Sequence, residues 1–202
     1  MTGQVADMAS EDAVRHAWID ESIHATASVP MYVLAAVVAD PTTCDPVREE
    51  LRSLVRRPRQ RIHWRAEEAA DRLRAVRVLA ASGTEQVVIV GSPLDPRRQE
   101  RARRKCMERL FFEFGNLVLS TVWIESRTPS LNRADQQMLL ALRGSGVMPK
   151  GLRCEFALPS TDPMLWAADV VAGAVAASFK GEAAYGRVLY SGLTVHELDL
   201  GR

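Results

Sequence analysis

Much of what would mark this chain as something other than an ordinary water-soluble domain is missing. Its 202 residues contain three cysteines, Cys44, Cys106 and Cys154, and no Cys-x-x-Cys pair. That excludes a disulfide framework and a cysteine-based zinc site, and leads us to expect a reducing, cytoplasmic compartment. No apolar run reaches the roughly 18–20 residues of a membrane span. The longest, Met164 to Phe179, also carries an aspartate, so no membrane is expected. The stretch Met1–Asp12 lacks the basic-then-apolar signature of a secretory signal and reads as a loose, acidic tail. There is no Gly-rich phosphate loop, no Gly-x-Ser-x-Gly elbow and no aromatic platform for stacking bases. Net charge is nearly absent too: 26 basic residues against 25 acidic leave +1, so overall charge selects no partner. What is left is one domain over residues 13–202, long enough to bury a real core.

The hydrophobic pattern alternates strands and helices. Arg15–Asp20 reads as a strand ending in the acidic pair Asp20-Glu21, and Met31–Ala39 as a second strand, apolar on both faces. Strands this close pair most simply as an antiparallel hairpin. Helices are expected from Asp45 to about Val55, from Glu67 to Ala81, from Arg97 to Phe114 and from Asn132 to about Leu142. Further strands are expected at Gln86–Val90, Leu117–Glu125 and Leu152–Ala157, with an extended end at Leu193–Leu198. The pattern predicts an α/β fold: a mixed central sheet that begins with an antiparallel hairpin and carries helices on both faces.

The helix beginning at Pro163 is apolar almost all the way round, with Asp162 as a natural N-cap and Asp169 inside it. A helix of that kind belongs in a core. An ionised carboxylate there costs several kcal/mol unless it is paired or bound to metal. Ligands on such sheets gather at the carboxyl ends of strands, where Asp20 and Glu125 are expected. Three carboxylates from distant segments can thus converge, and hard oxygen ligands suit Mg²⁺ or Mn²⁺.

Two motifs also carry a resemblance. Trp18-Ile-Asp-Glu-Ser22 followed by Tyr32-Val-Leu-Ala-Ala-Val-Val, and Trp166-Ala-Ala-Asp-Val-Val-Ala-Gly173, resemble the bacterial domain-of-unknown-function 3800 family, from about Arg15 to Phe179. The resemblance implies an RNase H-like fold. In that fold an acid on the first strand, one on a later strand and one on a late helix bind metal; here they correspond to Asp20, Glu125 and Asp169. Glu21, from the Asp-Glu-Ser motif, would be a fourth catalytic carboxylate or a supporting one.

The expected activity is metal-dependent phosphodiester hydrolysis, a nuclease using one or two Mg²⁺ or Mn²⁺ ions, with Arg127 or His63 on the substrate phosphate. The alternatives are a catalytically silent RNase H-like module that binds nucleic acid or a partner protein, and a phosphohydrolase for small substrates. Each residue also has a plainer reading: Asp169 held by backbone or an arginine, Glu125 paired with Arg127, His63 packed beside Trp64, and Asp135 solvated on its helix. His16, His24 and His196 show no metal-ligand spacing and receive no role. Two basic runs, Arg52 to Arg65 and Arg97 to Lys105, suit either a phosphate backbone or solvated surface.

Overall fold

The computed structural model describes residues 14–26, 28–55 and 61–201. The expected tail, Met1–Asp12, and Arg56, Arg57 and Arg59 of the first basic run lie outside the described residues. Strands Arg15–His24 (β1), Met31–Ala39 (β2), Glu85–Ser92 (β3), Leu119–Glu125 (β4), Arg153–Ala157 (β5) and Leu193–Asp199 (β6) form one sheet in the order β5-β4-β1-β2-β3-β6. β1, β2 and β3 are successively antiparallel, whereas β4 runs parallel to β1, β5 to β4 and β6 to β3. The fold is therefore α/β with a mixed six-stranded sheet that opens on a hairpin.

Helices cover both faces. Asp45–Ser53 (α1), Ala69–Ala81 (α2), Pro163–Phe179 (α5) and Ala184–Leu189 (α6) pack on the face that carries Trp18, Val33, Ala35 and Val37. Gln99–Glu113 (α3) and Pro129–Gly144 (α4) pack on the face that carries Ala17, Ile19, Leu34 and Ala36. Because β-strand side chains alternate, neighbours in sequence go to opposite cores. α5 is buried from Pro163 to Ala177, between β1 and β2 on one side and α1, α2 and α6 on the other. Asp162 caps it as expected, its carboxylate accepting from the Met164 N–H at 3.0 Å. Among the described residues, no helix is long and apolar enough to cross a membrane, and all three cysteines are free.

Several expected boundaries move. β1 does not end at Asp20-Glu21; it continues to His24, because its antiparallel register with β2 runs on through Ser22↔Val33 to His24↔Met31. α4 begins at Pro129, capped by Thr128 and not by Asn132. Asn132 instead accepts from the Arg127 N–H at 2.8 Å and steadies the turn after β4. α2 starts two residues later than expected, after a single 3-10 turn at Trp64–Ala66.

Candidate functional site

The register of β1 and β4 builds the site. Their last paired residues are Ile19 and Ile124, so Asp20 and Glu125 follow side by side, both on the face covered by α5. Asp20 sits opposite Ala35 within β1, one step beyond the β4 ladder, while Glu125 ends β4. α5 lies across β1 and β2 and brings Asp169 to the same place. Asp20 and Asp169 are each 9% exposed, so water screens neither carboxylate well. Burial, then the Glu125 and Asp169 charges, push the Asp20 carboxyl well above the ordinary carboxylate range. The structure therefore brings Asp20, Glu125 and Asp169 together.

A short segment ahead of α2 covers these carboxylates. The Trp64 N–H donates to Asp169 Oδ2 at 2.7 Å, and His63 Nδ1 lies 3.2 Å from the same oxygen. That contact raises the His63 pKa, against a smaller opposing effect of burial. Arg61 donates to Glu125 Oε1 at 2.9 Å. Trp64 anchors the segment: its indole stacks edge-on to Tyr185 at 4.9 Å, under the Arg72 guanidinium at 5.1 Å. Gly173, one helical turn beyond Asp169, makes room for that indole, since a Cβ there would stand 2.1 Å from the ring. Asp169 and Gly173 thus hold the two ends of one tryptophan, the backbone N–H and the ring.

Glu21 and Arg127 are not in this cluster. Alternation along β1 turns Glu21 to the opposite face, where it is bonded to Arg103. Arg103, 1% exposed, also makes a two-pronged pair with Asp135 at 3.0 and 2.9 Å and donates to the Tyr32 hydroxyl at 3.2 Å. Arg127 joins the same network, donating to Asp135 at 2.8 and 3.2 Å and to Glu100 at 2.7 and 3.1 Å. The plainer expectation for Asp135, a solvated helix residue, is corrected: it is 3% exposed and shared by two arginines. Glu125 pairs with Arg61, not with its sequence neighbour Arg127.

Sequence reasoning missed three residues: Arg61, Trp64 and Arg103. Arg61 and Arg103 sit inside basic runs that look uniform in sequence, and only the fold separates the buried guanidinium from its solvated neighbours. For Trp64 a signal existed, since Gly173 is the one residue of this helix with no side chain and stands one turn from Asp169, and a gap of that kind marks a ring or backbone packed close by.

Three carboxylates of all-oxygen chemistry, one with its pKa raised by burial and then by the other two, suit a hard divalent cation. As the chain lies, Asp169 and Glu125 hold His63, the Trp64 N–H and Arg61. Among the described residues, no group of three or more His, Cys, Asp and Glu side chains stands in metal-holding geometry. Comparison with protein-family models, with curated proteins and with solved structures gives no match. The class that fold and site define is thus an α/β protein with a three-carboxylate cluster at the centre of a mixed six-stranded sheet.

Proposed function

We propose that the chain is a divalent-metal-dependent phosphodiester hydrolase of RNase H-like type, acting on nucleic acid. The observation that carries this reading is the state of Asp20: burial and two neighbouring carboxylates push its carboxyl far up, a cost that a shared cation relieves. The first-strand, later-strand and late-helix origins of Asp20, Glu125 and Asp169 agree with the family resemblance. These three residues would hold Mg²⁺ or Mn²⁺. Such an ion, when bound, lowers the pKa of a water and offsets charge on the leaving oxygen. The protein's own part is to fix the carboxylates on rigid elements and to present cations to phosphate. Arg61 and His63, with side chains 40% and 46% exposed, are free to turn from the carboxylates towards a substrate phosphate. Arg127, held by Glu100 and Asp135, is not.

The second reading, a binding module without catalysis, is favoured by the same two pairs, Arg61–Glu125 and His63–Asp169, which already use the carboxylates. Incubation of a panel of single- and double-stranded DNA and RNA with Mn²⁺ separates the two. The proposal expects cleavage that chelation stops and that falls by at least about 10²-fold in Asp169→Asn. Cleavage that survives Asp169→Asn and Asp20→Asn unchanged would remove the three carboxylates from any catalytic role. Salt-sensitive binding without cleavage would favour the module.

A further inference from the structure

Beyond the carboxylates, the same elements converge a second time. β1 carries Asp20 and, four residues on, His24; the segment before α2 carries His63 and then Arg65; α5 carries Asp169 and, at its C-cap, Lys180. His24, Arg65 and Lys180, with Ile23, Thr26 and Ser28, line a cleft of about 460 Å³. Lys180 Nζ lies 2.7 Å from His24 Nδ1, and the Arg65 guanidinium donates to the Ile23 carbonyl. Among the described residues, neither Arg65 nor Lys180 forms an ion pair with a carboxylate, although Glu182 lies near enough to Lys180 to be felt.

The bland explanation covers Lys180 alone, because a cation at a helix C-terminus is favoured by the helix dipole. It does not explain why an arginine and a histidine from two other elements meet that lysine around an open cleft. Nδ1 of His24 accepts from the ammonium, so Nε2 bears the hydrogen and donates to Ser22 Oγ at 3.0 Å. Burial, then Lys180 and Arg65, lower the His24 pKa to about 4. The imidazole is therefore neutral at physiological pH, and the positive charge of the cleft rests on Arg65 and Lys180.

We propose that this cleft is a phosphate-binding subsite, with Arg65 and Lys180 supplying the charge and the Thr26 and Ser28 hydroxyls completing the donor set. Its link to the carboxylate cluster rests on the phosphodiesterase reading; its affinity for phosphate does not. The four residue steps of strand from Asp20 to His24 span about 13 Å, and the eleven helical steps from Asp169 to Lys180 span about 16 Å. Along a B-form strand that is about four or five phosphate steps, at roughly 3.4 Å each. A polynucleotide whose bond is cut at the carboxylates would place a phosphate of the same strand in the cleft.

The test measures binding in EDTA, by fluorescence anisotropy with labelled 12-nucleotide DNA and RNA and by calorimetry with inorganic phosphate. It uses the wild-type chain, Arg65→Gln/Lys180→Gln, Lys180→Arg and Asp169→Asn, each checked for an unchanged fold by circular dichroism. The expected result is oligonucleotide affinity about tenfold weaker in the double variant, with a salt slope reduced by about 2, near-wild-type affinity in Lys180→Arg, and no loss in Asp169→Asn. Phosphate binding that the double variant loses, without any oligonucleotide binding, identifies a free phosphate or phosphomonoester as the occupant and upholds the subsite. Equal affinity and salt slope in wild type and double variant, or a wild type that binds neither probe, overturns it. Absence of metal-dependent cleavage by the wild-type chain, with this binding intact, overturns the hydrolase reading and leaves the subsite standing.

Discussion

On one face of the sheet, Glu21 and Asp135 meet Arg103 inside the core, and Arg127 and Glu100 close the network at its rim. On the other face, Asp20, Glu125 and Asp169 meet each other, and the nearest cations, Arg61 and His63, come from an exposed segment. The first cluster fixes Arg103 on α3, and Arg127 in the turn that Asn132 steadies, both in two-pronged geometry on Asp135 that leaves few unmet hydrogen bonds. The second leaves Asp20, among the described residues, with the Glu21 N–H as its hydrogen-bond donor, at 2.8 Å, and with the like charges of Glu125, Asp169 and, more weakly, Glu21 acting on it. The difference teaches how to tell a structural charge network from a candidate reactive one: in the structural network every acid faces a guanidinium directly, whereas in the reactive one Asp20 faces other carboxylates and the cations come from an exposed segment.

Four substitutions break or sharpen that contrast. The largest effect is expected from Arg103→Met, which strips Glu21 of its cation and leaves Asp135 with Arg127 alone. Stability should fall by about 3–5 kcal/mol, read as a lower midpoint in urea unfolding, while Mn²⁺ binding by the folded fraction persists. A loss below about 1 kcal/mol would mean that the network is ornamental. Next is Gly173→Ala. Alanine favours a helix over glycine by about 1 kcal/mol, but its Cβ would stand 2.1 Å from the Trp64 ring. Overpacking of about 1–3 kcal/mol or more therefore wins, and displacement of Trp64 frees Asp169 from its N–H donor. The variant should be less stable, with quenched or shifted tryptophan fluorescence.

Asp20→Asn should act in the opposite direction. The folded-state pKa of Asp20 lies above its ordinary value of 3.8. Its contribution to stability is thus fully present below that value and is lost as pH rises through the folded pKa. In metal-free buffer, Asp20→Asn should raise Tm by a few degrees at neutral pH and flatten the decline of Tm above pH 4, as scanning calorimetry across pH would record. A wild-type Tm that climbs steadily from pH 4 to 8 would contradict the raised pKa. The smallest effect belongs to Arg61→Ala, since an exposed pair contributes about 0.2–1 kcal/mol. The melting point should barely move, while KM for a cleaved oligonucleotide should rise more than kcat falls.

The fold was largely legible because strands and helices announce themselves by period and by Gly, Pro and capping residues. The apolar run with Asp169 and its Asp162 cap lies where the pattern put it, and the hairpin pairs as its closeness in sequence required. What could not be read was the face each acid would take. Asp20 and Glu21 look equivalent in sequence, and only the alternation of β1 between two cores assigns one to each cluster. Arg127 and Arg61 were equally hard to separate, because pairing with Glu125 depends on a loop 64 residues away. His24 offered no sequence signal at all, since its partners Arg65 and Lys180 are distant along the chain.

The most direct test of the central claim is thermal melting with and without Mn²⁺ in wild type, Asp20→Asn and Asp169→Asn. A cation held by the folded state at a hundred times its Kd adds about 2.7 kcal/mol, or about 5–10 °C for a chain of this size. The account predicts that rise in wild type and its loss in both variants. A wild-type melting point unmoved by millimolar Mn²⁺, or an equal rise in Asp169→Asn, would contradict it.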